Sequence, residues 1–185
     1  MSATEAIPGV ATASTQDRLY EEAAQSYGAA LERLARAYEA DADLRRDLLQ
    51  EIHVGLWRSL SKFDGRCSLR TWIYRVAHNV GASHVLRWRR VRGQELIGLE
   101  EMEDFPDANN ALHAVDRSHA LDRLLGLLQR LKPLDQHVIL SYLEGLDAAS
   151  IGEITGLSAA NVATKIHRIK NMLALQFQRG GADHE

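Results

Sequence analysis

The sequence predicts an all-α protein: two small helical domains, the first of three to four helices and the second a C-terminal helix-turn-helix domain, joined by an acidic linker. Three observations support this prediction. Apolar residues recur every three or four positions in both halves, which is the spacing of one face of a helix. The 185 residues include only three prolines. Between Gly93 and Asp122, where this spacing is lost, eight side chains are acidic and one is basic.

The first half, residues 16–92, is expected to follow a disordered tail at 1–15. Apolar spacing predicts one helix over residues 17–38 and a second over about 43–60, with Trp57 on its inner face. The pattern breaks around Asp64-Gly65, a dipeptide typical of turns. Ser68 can cap a third helix that runs to about Arg90.

Residues 93–113, with Pro106 among many acids, are interpreted as a linker between two domains. The alternative is a structured acidic loop.

The second half, residues 114–178, precedes a short tail at 179–185. Leucines spaced from Leu121 predict a helix that Pro133 ends. The next helix is expected to turn four side chains inward: Val138, Ile139, Tyr142 and Leu143. Gly145 is a stop signal, and Asp147 can cap another helix.

The segment from Asp147 to Lys170 has the organisation of a helix-turn-helix. Gly156, Leu157 and Ser158 form the turn, and Gly156 suits a left-handed backbone position. In such motifs the second helix lies in the major groove of duplex DNA. No acid occurs between Ala159 and Arg179, so this helix suits a surface that faces phosphates. The alternative is a helical hairpin with a solvated basic face.

A basic and aromatic segment in the first half predicts a second nucleic-acid surface. From Arg58 to Arg92 there are nine basic residues and one acid, with Trp72, Tyr74 and Trp88 among them. Basic groups follow phosphates and aromatic faces stack on unpaired bases, so this combination suits melted DNA. The alternative for Trp72 is that it fills the core.

Several classes of function find no support in the sequence. A single cysteine, Cys67, fits a reducing compartment and forms no internal disulfide. No secretory signal and no apolar stretch of about 20 residues is present, so we expect a cytoplasmic protein with no membrane insertion. Eight histidines lack the paired spacing of a zinc site, so we expect them at the surface, with no metal and no cofactor. No catalytic pattern is present, so we expect no enzyme.

Two stretches resemble a known family. The segment DLLQEIHVGLWRSLSKFDGRCSLRTWIYRVAHNVGASHVLRWRR, at 47–90, resembles the second conserved region of the extracytoplasmic-function (group 4) bacterial RNA polymerase sigma factors. The segment LKPLDQHVILSYLEGLDAASIGEITGLSAANVATKIHRIKNML, at 131–173, resembles their fourth region. The resemblance covers residues from about 20 to 175, apart from the linker. It implies a transcription initiation factor that binds core RNA polymerase and promoter DNA and is controlled by an anti-sigma factor.

The resemblance assigns roles by position. Binding to core polymerase falls to Asp47, Leu49, Gln50 and Glu51. Contacts with the melted −10 element, to which the basic and aromatic segment contributes, are expected from Phe63, Arg66, Ser68, Trp72, Arg75, Asn79, Arg87 and Arg90. Contacts with the duplex −35 element are expected from Ser158, Asn161, Thr164, Lys165 and Arg168.

Four positions depart from the family pattern. Ser83 stands where an Asp is common, and Gly81 falls within a helix, where it costs about 1 kcal/mol against Ala. Ala163 replaces a frequent Lys of the recognition helix. Gly152 replaces a more usual alanine and is expected to loosen the motif.

Two rival functions remain at this point. One is a dimeric helix-turn-helix regulator that binds duplex DNA without polymerase. The other is a helical adaptor that binds proteins only, which would leave the basic segment at 87–92 unexplained.

Overall fold

The computed structural model describes residues 13–92 and 117–182. The linker at 93–113, residues 1–12 of the first predicted tail and residues 183–185 of the second lie outside the described residues. The described part forms seven helices: α1 Ala13–Tyr38, α2 Ala42–Leu60, α3 Leu69–Arg92, α4 Arg117–Arg130, α5 Pro133–Leu143, α6 Ala148–Thr155 and α7 Ala159–Ala182. We call α1 to α3 the first half and α4 to α7 the second half. The predicted all-α class in two helical units is confirmed.

The first half is a three-helix bundle with an apolar interior. Its largest fully buried side chains include Leu31, Leu48, Ile52, Leu56 and Ile73. These positions follow the helical spacing that the sequence displays, so the core follows directly from local periodicity.

The prediction that Trp57 faces inward is wrong, because the side chain is 44% exposed. The inner row of α2 runs through Ile52, Leu56 and Leu60 at intervals of four, and Trp57 lies one position off it. Its indole Nε1 donates to Asp17 Oδ1 at 2.9 Å, and Gln16 Nε2 donates to its carbonyl at 2.6 Å. These bonds hold the start of α1 on α2, and α1 begins at Ala13, inside the predicted tail.

The predicted helix caps are confirmed. Ser68 Oγ accepts from the Thr71 N–H at 3.0 Å, and Asp147 Oδ1 accepts from the Ser150 N–H at 2.7 Å. Ser158 Oγ accepts from the Asn161 N–H at 3.2 Å. Because the first N–H groups of a helix have no partner within it, these acceptors fix where α3, α6 and α7 begin.

Gly81 within α3 has a packing reason. A Cβ added there would lie 2.7 Å from the ring carbons of Tyr38. Tyr38 is 4% exposed and its hydroxyl reaches His78. The lower helix propensity of Gly81 relative to alanine is therefore offset by the close packing of α1 on α3.

The inward face of α5 is not the one that the sequence predicts. Val138 and Ile139 are buried as expected, but Tyr142 and Leu143 are 38% and 55% exposed. Leu140 is also buried, as are four polar residues: Asp135, Gln136, His137 and Ser141. The reason is that α5 packs on the second half with one face and on the first half with the other.

The two halves pack directly against each other. Gln136 Nε2 of α5 donates to the Ala37 carbonyl of α1 at 3.0 Å. The ring of His137 stacks on that of His78 from α3, with centroids 3.6 Å apart. The expectation of surface histidines is thus wrong for His78, His137 and also His84, which are 0%, 8% and 2% exposed. None of the described helices meets the length and apolarity needed to cross a membrane.

Candidate functional site

The helix-turn-helix is built on two close approaches of the backbone. Gly156 ends α6 with φ +78°, and its N–H donates to the Gly152 carbonyl at 2.8 Å. A Cβ on Gly152 would lie only 2.6 Å from the Leu157 carbonyl oxygen. The expectation that Gly152 loosens the motif is therefore wrong: its missing side chain allows the turn to approach α6 closely.

The face of α7 that leads away from this turn is exposed. Ser158, Asn161, Thr164 and Arg168 are all exposed, as is Ala163 between them. Thr164 Oγ1 donates to the Ala160 carbonyl at 3.0 Å, which leaves its lone pairs outward. The sequence-predicted residues of the second half thus share one face, with a single exception.

Lys165 is that exception. Its Nζ donates to Asp135 Oδ1 of α5 at 2.6 Å, and the two side chains are 32% and 8% exposed. A buried carboxylate without a cation is costly, so this pair joins α5 to α7. The contact of Lys165 with DNA stays a prediction. The structure shows in addition that Lys165 links α7 to α5 through Asp135.

The loop before α3 brings several predicted −10 residues together. The Phe63 ring meets the Trp72 ring edge-to-face at 5.5 Å, and Trp72 Nε1 donates to Ser59 Oγ at 3.0 Å. Trp72 is half-buried, so part of its ring belongs to the packing, as the alternative interpretation held. Arg66 is exposed and pairs with Asp64, whose pKa is lowered by hydrogen bonds from the Arg66 backbone and side chain.

A groove of about 720 Å³ between α2 and α3 joins two predicted sites. Asp47, Gln50 and Glu51, expected to bind polymerase, line it together with Asn79, expected to contact DNA. Ser83 also lines it and donates from Oγ to the Asn79 carbonyl at 2.8 Å. Leu49 lies apart, half-buried in a groove between α1 and α2.

An ion pair crosses the first of these grooves. Arg87 Nη2 lies 2.9 Å from both carboxylate oxygens of Glu51. A residue assigned to DNA is therefore bound to one assigned to polymerase. Arg90 belongs to α3 by its backbone, but its side chain lies outside the described residues.

Arg75, predicted to contact −10 DNA, is bound by the second half. Its Nη2 donates to the Glu153 carbonyl of α6 at 3.0 Å. Sequence reasoning missed another acceptor in the second half, Glu144, whose carboxylate accepts two hydrogen bonds from Arg33 at 2.7 and 2.8 Å. Tyr74 also donates to this carboxylate at 3.2 Å, and Arg70 donates to the Glu144 carbonyl. No local pattern marks Glu144, because all three donors lie in the other half.

Comparisons with known proteins find a matching family for each half of the chain. The Sigma-70 region 2 family matches residues 23–91, and the Sigma-70, region 4 family matches residues 121–173. The ECF RNA polymerase sigma-E factor of Haemophilus influenzae is 29% identical over 140 residues, covering 71% of this chain and 74% of that protein. The ECF RNA polymerase sigma factor SigW of Bacillus subtilis is 23% identical over 155 residues, covering 78% and 79%.

Two solved structures share the fold. CnrH in complex with the cytosolic domain of CnrY has a TM-score of 0.64 at 21% identity, covering 90% of this chain and 92% of that one. The sigma factor RpoE of Bartonella quintana, in complex with the anti-sigma factor NepR, has a TM-score of 0.63 at 17% identity, covering 86% and 96%.

Proposed function

The chain belongs to the sigma-70 family as an extracytoplasmic-function RNA polymerase sigma factor, and we propose how its two halves divide the work of promoter recognition. In this proposal the first half binds core polymerase and the melted −10 element, and the second half binds the duplex −35 element. The chain acts by binding rather than by catalysis, in the cytoplasm, where the polymerase works.

The observation that carries the proposal is the exposed, acid-free face of α7. A capped helix that follows a tight turn presents Asn161, Thr164 and Arg168 to solvent. Early residues of such a helix reach base edges in the major groove, and basic groups beside them bind phosphates. We therefore assign the −35 element to this face.

For the first half, the groove between α2 and α3 supports the polymerase assignment. Asp47 and Glu51 lie one helical turn apart, and Gln50 is beside them; all three are exposed. Two like charges at this spacing are mildly unfavourable in an isolated helix. Arg87 offsets the charge of Glu51 within the chain, and a basic partner surface would offset that of Asp47. Such a surface is what we expect from the clamp helices of the polymerase.

The −10 element is assigned to the loop before α3 and to the exposed edge of that helix. Phe63 and Trp72 provide aromatic surface next to the polar Ser68, and Asn79 is exposed farther along α3. A base turned out of the melted strand can stack on the rings and be read by polar groups. Arg75 and Arg87 would bind the backbone after releasing their present partners.

Control by an anti-sigma factor is part of the proposal. Of the two proteins of the same fold, CnrH is described in a complex with the cytosolic domain of CnrY, and the sigma factor RpoE in a complex with the anti-sigma factor NepR. We infer that a protein of this type binds the present chain and keeps it from polymerase.

The test is transcription in vitro with purified core polymerase on genomic fragments. We expect start sites with upstream elements at constant spacing, and binding to those promoters only in the presence of core enzyme. Binding to duplex DNA of equal strength without polymerase would instead identify a helix-turn-helix regulator. No association with core enzyme would overturn the proposal.

Two asparagines of α7 form a matched pair for this test. Asn161→Ala should reduce transcription from a mapped promoter about tenfold, because a base-edge contact contributes about 1–3 kcal/mol. Asn171, nearly three turns later and bonded to His167 at 3.1 Å, is the control, and Asn171→Ala should leave transcription unchanged. Equal loss in both variants would contradict the assignment of the −35 face.

A further inference from the structure

The contact between the halves contains a buried polar cluster. Tyr38 of α1, His78 of α3, and His137 and Ser141 of α5 are all buried there. Apolar side chains of both halves form one continuous core around this cluster, so its polar groups are shielded from water. A buried polar centre in a contact between two units suggests a contact that can be broken.

His78 has partners on both sides of this contact. Its Nδ1 lies 2.8 Å from the Tyr38 hydroxyl in its own half, and its Nε2 lies 3.0 Å from Ser141 Oγ in the other. The His137 ring covers its face at 3.6 Å between centroids, with 24° between the planes. His137 Nε2 is buried and has no hydrogen-bond partner. The stacked arrangement therefore favours the neutral form of both imidazoles, that of His78 and that of His137.

The charged side chains on the surrounding helices form ion pairs or hydrogen bonds with residues other than His78 and His137. From α1, Arg33 binds Glu144 and Arg36 binds Asp122 of α4. Glu39, which follows the end of α1, has its Oε2 3.0 Å from His84 Nε2 of α3.

From α3, Arg70 and Arg75 donate to the carbonyls of Glu144 and Glu153, and the Tyr74 ring lies 6.2 Å from that of His78. From α5, Asp135 is bound by Lys165 of α7.

The consequence is a large preference for the neutral rings. Burial, with a smaller contribution from His137, lowers the pKa of His78 well below its usual range. Burial lowers the pKa of His137 to about 4. No carboxylate of the described residues offsets either change.

We propose that the stacked pair of His78 and His137 makes the contact between the halves acid-sensitive, so that protonation of either ring separates them. A charged ring in this buried position would face a second imidazole at 3.6 Å with no counter-ion. Separation returns both rings to water, where the charge is solvated.

The direction of the pH effect follows from linkage. Both pKa values are lowered in the closed arrangement, so its stability is full above the ordinary histidine pKa of 6.5 and declines as the pH falls below it. A single ring with a pKa of about 4 when buried and 6.5 when released weakens the closed state about tenfold at pH 5.5.

For a sigma factor, opening would release the −10 surface. Arg75, which the closed arrangement binds to the Glu153 carbonyl, would become available to DNA. This consequence rests on the proposed function, whereas the acid-sensitive contact does not.

The test measures the separation of the halves in the full chain without polymerase or DNA. Fluorescence energy transfer between dyes on Cys67 and on an Ala174→Cys variant reports the distance between α7 and the loop before α3. We expect efficient transfer at pH 7.5 and its loss on lowering the pH to 5, at constant far-ultraviolet circular dichroism.

Two substitutions of similar size separate charge from shape. His137→Lys introduces a charge and should lose energy transfer already at pH 7.5. His137→Met removes the titrating ring, should stay closed at pH 7.5, and should need a lower pH to open. His167→Gln, at an exposed histidine of α7, should respond to pH as the natural chain does.

Three results would overturn the inference. One is constant energy transfer between pH 8 and 5. Another is equal transfer in His137→Lys and His137→Met at pH 7.5. The third is loss of helicity in step with distance, which would mean acid unfolding. None of them depends on whether the chain directs transcription, so the proposed function is tested separately.

Discussion

The two DNA-directed surfaces of this sigma factor differ in their availability. The recognition face of α7 is exposed, and most of its predicted residues point to solvent. The predicted −10 surface is largely occupied from within the chain: Arg75 by α6, Arg87 by Glu51 and Arg66 by Asp64. The predicted −35 face is therefore exposed, whereas three arginines of the predicted −10 surface are bound by other residues of the chain.

The contacts that occupy the −10 surface are weak enough to be exchanged. Exposed ion pairs contribute about 0–1 kcal/mol, because water and salt screen them. A promoter bound to polymerase offers phosphates in their place. Arg66 and Arg87 are held within the first half, whereas Arg75 is held by the second, so of these three only Arg75 requires separation of the halves before it can bind DNA.

The largest expected effect comes from breaking the turn that presents the exposed surface. Gly152→Ala would place a Cβ 2.6 Å from the Leu157 carbonyl oxygen, so the backbone must shift. We expect the free energy of unfolding to fall by about 2 kcal/mol, together with loss of transcription from −35-dependent promoters. Urea unfolding followed by circular dichroism measures the first effect.

Gly126 of α4 provides the matched control, because a Cβ there meets nothing within 4 Å. Gly126→Ala should raise the free energy of unfolding by about 0.5–1 kcal/mol through helix propensity alone. A similar gain in Gly152→Ala would show that the close approach at the turn is absent in solution.

A smaller effect tests Lys165, the predicted recognition residue whose side chain is bound to Asp135 of α5. Lys165→Met keeps the side-chain stem but leaves the buried Asp135 without its cation. We expect a loss of about 1–2 kcal/mol in the free energy of unfolding, reduced by the partial exposure of Lys165. Thr164→Ala, at the exposed neighbour, should change stability by less than about 0.5 kcal/mol. Equal stabilities of the two variants would assign Lys165 to the DNA surface alone.

The smallest effect on stability is expected from changing the ion pair between Arg87, predicted to bind −10 DNA, and Glu51, predicted to bind polymerase. Arg87→Glu faces Glu51 with a like charge and should cost about 0.5 kcal/mol, which the double variant Glu51→Arg/Arg87→Glu should restore. If each residue has its own external partner, the double variant will regain stability but not transcription. Recovery of transcription as well would mean that the pair serves the fold only.

Much of the fold and of the site could be predicted because it depends on neighbours in sequence. Ser68, Asp147 and Ser158 cap helices within their own turn, and Gly156 meets a local need for positive φ. The acid-free stretch of α7 is likewise a property of consecutive residues, and the structure leaves its outer face exposed.

The sequence by itself therefore determined the helices, their caps and the exposed recognition face, since hydrogen bonds and periodicity within a few residues decide them. Only the tertiary structure decided which polar side chains are buried. Gln136, His137 and Ser141 look like an outer face of α5, yet they meet Ala37 and His78 of the first half. A contact between two distant segments leaves no periodic trace when it is polar, because apolar spacing records only burial against an apolar core.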